Sequence, residues 1–69
     1  MKHLIVIHQK KGHDLFDYYD TEEAAKAAIQ SIAEATNPGA GSVVTPSGNV
    51  TFDAANFAGA VYKGGGYDP

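Results

Sequence analysis

Four apolar residues in a row, Leu4-Ile5-Val6-Ile7, open the hydrophobic pattern of this chain. Neighbouring residues of a strand point to opposite faces of its sheet, so a run without alternation predicts a strand covered on both sides. A second apolar stretch, Leu15-Phe16-Asp17-Tyr18-Tyr19, follows within hairpin distance. Residues 2–9 and 13–20 therefore read as two strands joined by Lys10-Lys11-Gly12, with Gly12 supplying the positive φ of a three-residue loop. In that register Gln9 faces His13, Ile7 faces Leu15 and Ile5 faces Asp17. One face carries Leu4, Val6, Phe16 and Tyr18. The other carries Ile5, Ile7, Leu15 and Tyr19, with His3 and Asp17 among them.

The period then lengthens from two to between three and four. Asp20-Thr21-Glu22-Glu23 is a helix start in which Asp20 or Thr21 caps free amides and Glu23 completes a capping box with Asp20. The helix runs to about Ala35, with Ala25, Ala28, Ile29, Ile32 and Ala35 or Thr36 on one stripe. Asn37-Pro38-Gly39 stops it. Ser42–Thr45 and Val50–Phe52 read as strands around a Thr45–Gly48 type I turn with Pro46 second. Asp53-Ala54-Ala55-Asn56 reads as a turn capped by Asp53, and Phe57–Tyr62 as a last strand. The expected fold is α+β, in the order ββαβββ: a small antiparallel sheet of four or five strands with one helix on one face. Residues 1–63 make the single domain and residues 64–69 a flexible tail. As an element pattern over residues 2–62, with Tyr19-Asp20-Thr21-Glu22-Glu23-Ala24 ahead of the helix, this order resembles short reading frames common in phages and mobile elements.

Composition sharpens the problem of the second sheet face. Of 69 residues, eleven are Ala and only fourteen are Leu, Ile, Val or Phe. Ordering a chain costs about 1.5 kcal/mol per residue, which so thin a core offsets narrowly. Cys is absent from the sequence, so disulfides and thiolate metal sites are excluded. Self-association is the remaining way to bury more surface, and Ile5, Ile7, Leu15 and Tyr19 are its expected interface.

Charge limits the partners. Five Lys, no Arg and eight acids give a net charge of −3, against the basic excess of a non-specific nucleic-acid binder. No apolar run approaches the ~20 residues that span a bilayer, and none has the form of a signal peptide. Absence of Cys fits a cytoplasmic setting.

Chemistry is sparse. His8 and Asp14 share a face in this register and could form an ion pair, a proton relay or half a metal site. His3, His8 and His13 do not converge, so no metal or cofactor is expected. Ser31, Ser42 and Ser47 lack a nucleophile elbow and an adjacent His, and no catalytic residue is assigned. Gly64-Gly65-Gly66 has no following helix to make a phosphate cradle. Tyr18, Tyr19, Tyr62 and Tyr67, with Lys10 and Lys11, are the candidates for binding a ligand or partner. The sequence points to a non-enzymatic oligomeric binding protein, such as a phage-type inhibitor or accessory regulator of a host protein. The alternatives are an oligomer that sequesters a nucleotide-like anion, and a small enzyme built on His8 and Asp14.

Overall fold

The computed structural model describes residues 1–68 of the chain. Its elements, in order, are β1 (Lys2–Gln9), β2 (Leu15–Tyr19), α1 (Glu22–Ala35), β3 (Ala40–Thr45), β4 (Gly48–Asp53) and β5 (Phe57–Tyr67). The strand with apolar residues of both parities takes the centre: β1 lies between β2 and β5 in a three-stranded antiparallel sheet. The Ile7–Leu15 and Ile5–Asp17 pairs form as expected. The class is α+β with one helix, but the five strands divide into two antiparallel sheets where one was expected, because β3 and β4 pair only with each other.

Both layers above the three-stranded sheet lie on the same side of it. Helix α1 and the β3–β4 hairpin bury Ile5 and Ile7 completely, together with Ala25, Ile32 and Phe52. Leu15, Tyr19, Ile29 and Tyr62 pack around this cluster. Of the expected interface residues, Ile5 and Ile7 are thus the interior of a single chain, and Leu15 and Tyr19 are half-buried against the same cluster. The fold closes on itself, for its accessible surface of 4260 Å² is near the ~4100 Å² expected of a monomer of this mass.

Helix α1 begins at Thr21, whose side chain accepts from the amide of Ala24 at 3.1 Å. Asp20 is not the cap; it lies outside the helix and pairs with Lys2. Two acids, Glu22 and Glu23, occupy the first turn, where the helix dipole favours them. The inward stripe is Ala25, Ala28 and Ile32, small enough for the helix to settle close to the strands.

The hairpin alternates cleanly. Gly41, Val43, Thr45, Val50 and Phe52 turn inward, while Ser42, Val44, Asn49 and Thr51 face out. The Thr45 hydroxyl closes the turn, donating to the carbonyl of Gly48 and accepting from the amide of Ser47.

The last element departs furthest from expectation. Residues 64–67, read from sequence as tail, continue β5 along β1, with Gly64 opposite Leu4 and Tyr67 opposite Lys2. Register shifts accommodate the extra residues. Gly65 is required there by close approach, because a Cβ at that position would stand 2.8 Å from His3 Cε1. Asp68 follows outside the strand.

Candidate functional site

One face of the three-stranded sheet meets neither the helix nor the hairpin cluster. Strand parity and pairing place Leu4 and Val6 of β1 on it, Phe16 and Tyr18 of β2 beside them, and Val61 of β5 on the far side of Val6. Phe16, Val6 and Val61 form one row across three strands. Leu4 and Val6 are only 7% and 5% exposed, though they lie outside the core cluster. The flanks bear the exposure: Phe16 is 55% exposed and Val61 40%. Opposite Leu4 on β5 stands Gly64, which has no side chain.

Charged groups pair at the two ends of this face. His8 Nδ1 and Asp14 Oδ2 lie 3.1 Å apart at one end, both part-exposed. Lys2 and Asp20 form an ion pair at the other, and Lys2 holds the Asp20 carboxyl below its ordinary range. The row Phe16–Val6–Val61 is apolar, and Lys63 is exposed two residues beyond Val61 on β5.

On the covered side a polar cluster surrounds Tyr62. His3 Nδ1 lies 2.8 Å from the Tyr62 hydroxyl, and the two rings stack with centroids 6.1 Å apart. The Lys26 ammonium lies 5.5 Å from the centroid of the Tyr62 ring, within cation–π range, and also pairs with Glu22 at 2.7 Å. Partial burial and the charge of Glu22 push the Tyr62 phenol above its ordinary range. That direction is wrong for a nucleophile or general base. The cluster ties the middle of β5 to α1.

A second polar group joins the hairpin to β2. Asp17 is 5% exposed and accepts a hydrogen bond from Ser47 at 2.8 Å. Nearby, the Tyr19 hydroxyl is buried without a partner, and desolvation followed by the charge of Asp17 pushes its pKa up to about 12.

The residues assigned from sequence to ligand or partner binding do not converge within the chain. Lys10 and Lys11 sit in the β1–β2 loop, which Asn56 holds: it accepts from the Lys11 amide and donates to the Lys11 carbonyl, while its own carbonyl accepts from Lys10. Tyr62 lies opposite Ile5 near the middle of β1 and Tyr67 opposite Lys2 at its far end, roughly 13 Å and 23 Å from Gln9 along a strand rising ~3.3 Å per residue. Tyr19 is half-buried against the core, and of the set Tyr18 and, opposite Lys2, Tyr67 belong to the open face. A shallow pocket of about 80 Å³ is lined by Gln9, Thr51, Phe52, Asp53, Asn56 and Phe57. Its Asp53 carboxylate is engaged in capping Ala55, and its Asn56 amide in holding the loop. Among the described residues no cluster of three or more His, Asp or Glu could hold a metal, and no helix is long and apolar enough to cross a membrane.

Sequence reasoning put Leu4, Val6, Phe16 and Tyr18 on one face but missed Val61, because the partner of β5 was not assigned. The recoverable signal was the Ala60-Val61-Tyr62 stretch, apolar at both parities as β1 is.

No protein family, curated protein or solved structure matches this chain.

Proposed function

We propose that this chain is a non-enzymatic binding protein that works by self-association through the open face of its three-stranded sheet. The observation that carries the reading is the row Phe16–Val6–Val61, with a phenylalanine more than half exposed at its edge. Large apolar side chains left wet cost stability that burial against a second copy recovers, about 1.5–3 kcal/mol for a fully buried side chain. Lys2 is engaged by Asp20 at one end and His8 lies against Asp14 at the other, so the apolar row between them is what the face offers a partner. A second copy is the simplest such partner, and a host protein of a phage-type inhibitor would compete for the same row. Lys10, Lys11, Tyr62 and Tyr67 are too dispersed to support the nucleotide reading within one chain, and His8–Asp14 stands part-exposed without a third group.

The test is Phe16→Lys. It should leave a folded protein, because Phe16 contributes little to the core, and lower the mass of the assembly in light scattering. A folded Phe16→Lys variant with the wild-type mass would remove the open face from the account.

A further inference from the structure

The open sheet face carries a histidine against a carboxylate. His8 continues the Leu4–Val6 parity of β1 onto that face, and Asp14 stands beside it one residue before β2. His8 Nδ1 and Asp14 Oδ2 lie 3.1 Å apart, and both side chains are part-exposed. On its other flank His8 faces Gly59 of β5, which has no side chain to cover the ring. The helix and the hairpin pack on the far side of the sheet, so no charge of theirs faces His8. Lys10, Lys11 and His13 belong to the adjoining loop, and the two lysines keep their charge across the range in which histidine titrates.

Histidine is the side chain that gains a proton between pH 8 and pH 5. While His8 is neutral, Asp14 leaves a negative charge at that end of the face. With His8 protonated, the pair is neutral. The whole chain follows the same course, from −3 with its three histidines neutral to 0 with all three charged. A two-fold contact uses the same patch on both copies, so it brings two Asp14 carboxylates and two His8 rings into one partly dehydrated surface. Attraction between opposite charges strengthens as water is removed, so a protonated His8 gains more from Asp14 inside the contact than outside it. A neutral His8 leaves the carboxylates there uncompensated. Assembly therefore takes up protons at His8: it is favoured as pH falls and weakened as pH rises.

We propose that His8, through Asp14, makes self-association of the open face pH-dependent, tightening it below neutrality. The inference rests on the open-face reading above and adds its regulation. In the competing arrangement Lys63 of one copy, exposed two residues beyond Val61, compensates Asp14 of the other. Lysine keeps its charge throughout this range, so that arrangement gives no pH dependence.

The experiment is sedimentation equilibrium over a concentration series at pH 7.5 and pH 6.0, in about 0.15 M salt so that charges more than ~8 Å apart are screened. Both pH values stay above the sequence pI of about 5.3, away from isoelectric precipitation. The proteins are wild type, His8→Gln, His13→Gln and Asp14→Asn, each checked for folding by thermal melting. For wild type the dissociation constant should fall about tenfold from pH 7.5 to pH 6.0, within the ~5–150-fold typical of coupled binding. His13→Gln replaces an exposed loop histidine and should respond as wild type does. His8→Gln should lose the response. Asp14→Asn should lose it too, while associating at pH 7.5 as tightly as wild type does at pH 6.0. A wild-type constant equal at the two pH values overturns this inference alone and leaves the open-face contact standing. Monomer at both values overturns the two together. A response that survives in His8→Gln, or that disappears equally in His13→Gln, traces the effect to overall charge and overturns the role of His8.

Discussion

The hydroxyl of Ser47 donates to the carboxylate of Asp17 at 2.8 Å, tying the tip of the β3–β4 hairpin to strand β2. Asp17 is almost wholly buried, so this bond compensates part of the cost of taking a carboxylate out of water. Ser47→Ala leaves the acid buried with its hydrogen bond lost. A destabilisation of about 1–3 kcal/mol is expected. Thermal melting measures it, with Ser42→Ala, whose hydroxyl pairs with Thr51 on the exposed hairpin face, as a control that should shift little.

Tyr19 makes the fold sensitive to alkali. Its pKa is raised to about 12 in the folded chain, whereas an unfolded tyrosine loses its proton near 10. The folded state therefore holds the proton more tightly, and this contribution to stability is complete below pH ~10 and lost as pH rises toward about 12. Melting temperature should fall more steeply across that window in wild type than in Tyr19→Phe. Because the hydroxyl has no partner, Tyr19→Phe should cost nothing at pH 7. Equal alkaline slopes for the two proteins would contradict this.

Thr21 and Asp20 separate the two possible caps of α1. Thr21→Ala should cost about 0.5–2 kcal/mol. Asp20→Ala removes only an exposed ion pair with Lys2 and should change the melting temperature little.

The end of β5 also has a defined test. Gly65→Ala forces a methyl group against the His3 ring, and truncation after Lys63 removes the partners of Leu4 and Lys2. Both changes should lower the melting temperature by several degrees. Unchanged stability on truncation would return residues 64–67 to the status of a tail.

Much of the architecture was legible because it is local. The β1–β2 register, the helix span, the Thr45–Gly48 turn and the cap by Asp53 all follow from residues within a few positions of one another. The choice of covered face did not. Leu4, Val6, Phe16 and Tyr18 form the more apolar side, and burying a side that bears Asp17 looks unfavourable. Ser47, thirty positions away in sequence, reverses that choice by supplying a hydrogen bond to the acid. The glycine run misled for a similar reason: flexibility suggests a tail, but Gly65 is what lets β5 pass close over His3. The candidate site followed the face. Its residues were named in the sequence, but their assignment to core or surface depended on contacts between distant segments.

Sedimentation equilibrium on Phe16→Lys and Ile7→Lys tests which face is which. Phe16→Lys should remain folded and sediment at a lower mass than wild type, while wild type should reach at least twice the 7.2 kDa chain mass at micromolar concentration. Ile7→Lys puts a charge into the fully buried centre and should unfold the chain. Wild type sedimenting as a 7.2 kDa monomer throughout, or a folded Ile7→Lys variant with only its assembly lost, would contradict the account.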